Sequence, residues 1–105
     1  MTGVLSVYVT AASRGEAETI ANAVVEERLA ACANIFPGVQ SVYRWQGKVE
    51  RAEECALVIK TTAEGFAALE ARVKELHSYE CPCIVAWPVV AGSADYLEWV
   101  RGSGK

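Results

Sequence analysis

The run HSYECPCIVAWPV, residues 77–89, holds the only histidine of the chain, two of its four cysteines, a glutamate and a tryptophan. Imidazole, thiolate and carboxylate together are the ligands of a soft or borderline metal ion, and a thiol–imidazole pair favours Cu(I), Cu(II) or Zn(II) over Mg or Ca. Geometry limits what the two thiols can do. If residues 81–83 are extended, the Cα atoms of Cys81 and Cys83 lie ~6.6 Å apart on one face. A disulfide wants Cβ atoms near ~3.8 Å. A tetrahedral ion with metal–sulfur bonds of ~2.3 Å wants sulfurs about 3.8 Å apart. An extended strand strains both, so a shared ion requires a turn at Pro82 or ligands from two subunits. The other reading is two small apolar side chains packed at a subunit interface, where burial raises the thiol pKa and opposes metal binding.

His77 reads first as a histidine at a helix end, where a cation suits the dipole. As a ligand it needs a partner, and Glu80, Cys83 and Cys32 have the right chemistry. The candidate metal residues are therefore His77, Cys83 and Cys32, holding Cu or Zn weakly or conditionally, with the fold independent of the ion. A second group stands before a turn: Tyr43, Arg44 and Trp45. These are residue types enriched as anchors in subunit contacts. They also allow a small-molecule cleft between subunits, with Tyr43, Trp45 and Lys60 as its binding residues and His77 close by.

The elements that position these residues follow from period and punctuation. Residues 4–10, VLSVYVT, alternate as a strand. Ser13-x-x-Glu16 is a capping box, and Ala17, Ile20, Ala21, Val24 and Leu29 give a helical stripe. Residues 33–45 are extended, with a bulge or bend at Pro37-Gly38. Gln46-Gly47-Lys48 turns a hairpin. The strand returns over 54–61, and its apolar run at 55–59 predicts cover on both faces. Thr61-x-x-Glu64 predicts a second capping box before a helix lined by Phe66, Leu69, Val73 and Leu76. A strand over 83–90, pushed toward a sheet edge by Pro82 and Pro88, precedes a short last helix opened by Gly92-Ser93, with Tyr96, Trp99 and Val100 on one face. RGSGK at 101–105 reads as a frayed tail. This order predicts an α+β fold: a ferredoxin-like βαββαβ sandwich, its antiparallel sheet covered by helices on one side, plus a short C-terminal helix. The other sheet face has no cover within the chain.

The totals agree. A length of 105 residues fits one domain over 1–105, yet 52% of the residues are hydrophobic, which points to a self-association surface. The formal charge of −3, with no run of Lys or Arg, argues against a nucleic-acid partner and against a polybasic membrane anchor. No apolar run approaches the ~20 residues of a membrane span, and the N-terminus lacks a charged leader. Cytoplasmic location and reduced cysteines are the expectation.

Four stretches carry a resemblance: ERLAACANIFPGVQSVYRWQGKVE at 27–50, LVIKT at 57–61, HSYECPCIVAWPV at 77–89 and YLEWV at 96–100. Together they resemble the CutA family of divalent-cation-tolerance proteins, in order through nearly the whole chain. The resemblance implies a ferredoxin-like fold, a tight trimer of PII-like architecture, and a long hairpin from each subunit reaching its neighbour. It implies a role in tolerance to copper and other divalent metals, and no enzymatic reaction. PII-like trimers hold small effectors in inter-subunit clefts, so a regulatory or scaffold module is the alternative. The family usually reads Pro-Tyr-Glu-x-Pro-Glu after the histidine; here Ser78 stands for the first proline and Cys83 for the last glutamate. FPGVQSVYR faintly echoes an acylphosphatase loop, but it lies mid-chain in a strand and lacks the glycines a phosphate cradle needs.

Overall fold

The structure is a computed structural model that describes residues 2–103. The element order is β1 (Val4–Ala11), α1 (Arg14–Glu26), β2 (Cys32–Trp45), β3 (Lys48–Thr62), α2 (Phe66–Leu76), β4 (Ile84–Pro88) and α3 (Ala94–Gly102). The strands form one antiparallel sheet in the order β2-β3-β1-β4. This is the expected ferredoxin-like α+β sandwich.

Strand alternation divides the sheet into two faces. On one, Val7, Val9, Ala11, Cys55, Leu57 and Ile59 are buried against Ala17, Ile20, Ala21 and Val24 of α1 and Leu69 and Val73 of α2. The other face presents Tyr8, Thr10, Val58, Lys60, Val85 and Trp87, whose positions alternate with the first set in register. There α3 covers only one end, where Leu97 and Val100 pack on Val4. The buried side of α3 is therefore Leu97 and Val100. Tyr96 and Trp99, expected on it, stay exposed and stack on each other at 5.7 Å.

Local signals explain most boundaries. The Ser13 hydroxyl accepts from the Glu16 N–H at 3.1 Å, so the Ser13 half of the first capping box forms, while Glu16 Oε1 reaches one residue further back and accepts from the Ala12 N–H at 3.0 Å. The second box does not form. The Thr61 hydroxyl instead donates to the Leu29 carbonyl at 2.8 Å, β3 runs on through Thr62, and α2 begins after Gly65 without a side-chain cap. Tertiary pairing to β1 outcompetes a local cap at Thr61, because each ladder position satisfies backbone groups that the cap would leave open. Ser93 likewise precedes α3 without a side-chain cap bond. The last helix reaches Gly102, so Arg101 and Gly102 are helical where fraying was expected; residues 104 and 105 lie outside the described ones.

The hairpin β2–β3 is the dominant feature. Gln46 and Gly47 both have positive φ, 51° and 80°, as a type I′ turn demands. The expected bulge sits between Phe36 and Val39, with Gly38 at φ 77°. β3 starts at Lys48, earlier than its apolar run indicated, because β2 pairs with it down to the turn. Only Cys55–Thr62 also pair with β1. Residues 48–54 therefore project with β2 as a ribbon about 24 Å long.

Leu57 is fully buried on the helix side of β3. Leu57→Ala is expected to cost about 2–5 kcal/mol, read as a drop in urea midpoint at fixed protein concentration; an unchanged midpoint would mean that the helices do not close on this face.

Candidate functional site

A cleft of about 740 Å³ lies between the hairpin and the segment joining α2 to β4, lined among others by Tyr8, Thr10, Tyr43, Trp45, Glu54, Tyr79, Glu80, Cys81 and Cys83. It opens on the helix-free side of the sheet.

The joining segment is held by polar contacts reaching three other elements. His77 Nδ1 accepts from the Tyr79 N–H at 3.1 Å. That assignment makes Nε2 the protonated nitrogen, and it donates to the Thr10 carbonyl at 2.7 Å. β4 stops pairing with β1 at Val9, so the imidazole serves the next backbone carbonyl where the ladder has ended. The Tyr79 ring rests on the imidazole at 4.7 Å, and its hydroxyl donates to Glu54 Oε2 at 2.7 Å. Burial, and then that bond to Glu54, hold the Tyr79 hydroxyl well above the ordinary tyrosine range. Glu16 Oε2 accepts from the Ser78 N–H at 2.8 Å. Burial pushes the Glu16 carboxyl up, but the hydrogen bonds from Ser78 and Ala12 and the nearby His77 outweigh it, and its pKa lies below the usual value.

Cys81 and Cys83 are exposed, with free thiols, and both line the cleft. Burial, with the Glu54 charge adding, raises the Cys83 thiol pKa. Both residues precede β4, which starts at Ile84. The strand expected from residue 83 begins one residue later, and Cys81 lies in a bend. The extended geometry that kept the two sulfurs apart is therefore not imposed on them by a ladder.

The candidate metal residues do not converge within one chain. Cys32 pairs in register with Lys60, Lys60 with Ser6, and Ser6 with Trp87. Cys83 is three strands across and four residues along from Cys32, a separation of roughly 19 Å. The Cys32 thiol instead meets the Tyr96 hydroxyl at 3.3 Å; that bond, with burial adding, pushes the Tyr96 hydroxyl pKa up to about 12. Both nitrogens of His77 are engaged, as above. Among the described residues no group of three or more His, Cys, Asp or Glu is placed to hold a metal. Of the three candidate effector residues, Tyr43 and Trp45 line the cleft. Lys60 stands twelve residues along β3 from Lys48, the partner of Trp45, roughly 40 Å away. Sequence reasoning missed Tyr79 and Glu54 as the bracing pair, which are 25 residues apart; nothing local marks either residue as the other's partner.

Fold and cleft define the class first: a ferredoxin-like α+β sandwich with an overhanging hairpin and a cleft on its helix-free face. A model of the family described as CutA1 divalent ion tolerance protein matches residues 5–103. The chain belongs to that family. It is 53% identical over 95 residues to the divalent-cation tolerance protein CutA of Thermus thermophilus, covering 90% of this chain and 92% of that one. A crystal structure of CutA from Xylella fastidiosa superposes with a TM-score of 0.96 at 39% identity, covering 98% of this chain and 99% of that one. The CutA of Archaeoglobus fulgidus, described as periplasmic, superposes with a TM-score of 0.94 at 43% identity over 97% and 99% of the two chains. The Thermus and Archaeoglobus proteins are described by divalent-cation tolerance.

The Glu16 shift gives a signed expectation. A carboxylate whose folded pKa lies below its unfolded value near 4.5 stabilises the fold above that value, and the contribution is lost as pH falls through the folded pKa. Glu16→Gln should therefore lower the urea midpoint at pH 7, and the deficit should shrink toward pH 3. A deficit that is the same at both pH values would remove the carboxylate's charge from the account.

Proposed function

We propose that the chain, as one domain, acts as a cytoplasmic homotrimer in tolerance or response to divalent metal, copper foremost, and binds the ion conditionally. It works by binding and not by catalysis. The observation that carries the assembly is the uncovered sheet face. Phe36, Tyr43, Trp45, Val85 and Trp87 are 50, 44, 53, 45 and 53% exposed, and the register puts all five on the side without α1 and α2. An apolar surface of that kind marks an interaction site, and β2 and β4 add two unpaired sheet edges. The metal role is supported by the family, whose description names tolerance to divalent ions. Within one chain Cys32 lies three strands from Cys83 and both His77 nitrogens are engaged with backbone, so an ion held by Cys32 together with Cys83 requires ligands from different copies. Four free thiols, two of them exposed, fit a reducing compartment. No helix among the described residues is long and apolar enough to cross a membrane.

A second reading has one specific observation in its favour. The cleft is of small-ligand size and is walled by Tyr43 and Trp45, which fits a PII-like module that binds a small effector between subunits.

Light scattering at micromolar concentration should give about three times 11.3 kDa; a stable monomer would overturn the assembly. Removing a buried interface aromatic costs about 2 kcal/mol or more, so Trp45→Ala should loosen the oligomer or lower its thermal midpoint. If it does neither, the indole is free and the effector reading takes precedence.

A further inference from the structure

We infer that Cys81 and Cys83 form a two-thiolate site for a single Cu(I) ion in the cleft on the open sheet face. The inference deepens the metal-tolerance reading and rests on it. Of the four thiols, only these two line a common cleft within one chain. Cys55 is 2% exposed on the helix side, and Cys32 faces Tyr96 at the other end of the sheet. Cys81 and Cys83 both line the cleft, outside the β-ladder that starts at Ile84. Pro82 between them has its φ set by its own ring, so the pair enters the cleft partly preorganised.

Ligand count selects the ion. A structural zinc site takes four ligands in a tetrahedron, and among the described residues no group of even three His, Cys, Asp or Glu is placed to hold an ion. Both nitrogens of His77 are engaged with backbone. Glu54 accepts from the Tyr79 hydroxyl, and carboxylates suit hard cations. Soft thiolates select Cu(I), which is content with two sulfurs in line. That arrangement spans about twice a metal–sulfur bond of ~2.3 Å, or about 4.6 Å. Cys81 lies in a bend and both residues precede the ladder that starts at Ile84, so strand geometry does not fix the separation of the two sulfurs.

The step balances without electron transfer. Two thiols release two protons, two Cu–S bonds form, and the resulting site carries one negative charge. Affinity therefore rises with pH, because the ion displaces both thiol protons. Conditional binding has a chemical meaning here: the ion must be supplied as Cu(I).

The test is anaerobic titration of the full chain with Cu(I) against a chromophoric Cu(I) chelator. One ion per chain should bind, X-ray absorption should show sulfur neighbours only, and the Cys81→Ser, Cys83→Ser double variant should lose more than roughly 100-fold in affinity, beyond what an outer-shell change costs. Bound Cu(I) should also shield both residues of the unmodified chain from iodoacetamide, read by peptide mass, which requires no variant to fold. The proposal is overturned by undiminished binding in the double variant, by alkylation unaffected by the ion, or by binding that is lost in Cys32→Ser and kept without Cys81 and Cys83; the last result would establish a ligand set shared between copies. Absence of Cu(I) binding alongside a copper-sensitive phenotype of a deletion strain would sink the dithiol site and leave the tolerance role standing. Tight Cu(I) binding at the pair without any such phenotype would do the reverse.

Discussion

The length mismatch between β3 and β1 sets up everything else. β3 has 15 residues and β1 has 8, and once β1 ends at Ala11 the outer half of β3 has β2 as its partner in the sheet. The body thus ends where β1 ends, and the hairpin continues as an arm. An isolated two-stranded ribbon is marginal in water. The cleft lies in the corner that this overhang creates.

The segment after α2 closes that corner, and polar contacts across the fold hold it there. Glu16 reaches it from the start of α1, Thr10 from the end of β1 and Glu54 from β3. His77 is the hinge of the arrangement. Its two nitrogens bridge the backbone of β1 and of its own loop, in a neutral tautomer that leaves neither lone pair nor proton for another ligand. The most conspicuous metal-binding side chain is therefore spent on architecture, and the thiols are what the loop presents to the cleft. Burial and the acidic neighbour raise the Cys83 thiol pKa, and any ion held there must displace the thiol protons.

Period and punctuation carried the fold far. Alternation in β1, the apolar stripes of α1 and α2, Pro37-Gly38 and Gln46-Gly47 are local signals, and each produced the element it marks. The signals that failed were those with a long-range competitor. Thr61 could cap a helix or extend a strand, and β1 decided. Tyr96 and Trp99 looked like the inner face of α3, but Leu97 and Val100 fit against Val4 and the larger rings did not go in.

The sequence by itself determined the element order, the alternation of β1 and the apolar stripes of α1 and α2, because those depend on side-chain period and on conformational limits of single residues; the apolar run of β3 concealed which of its faces the helices cover. It also named the chemistry present, one imidazole and four thiols. Which of those groups meet was decided only by the tertiary structure. Cys32 and Cys83 share a sheet face but are separated by three strands, Lys60 and Trp45 share a face but lie along different halves of a long hairpin, and His77 is turned inward by a carbonyl 67 residues away. Distances across a sheet depend on register and strand order, which backbone hydrogen bonding between remote segments sets, and no spacing along the chain encodes them.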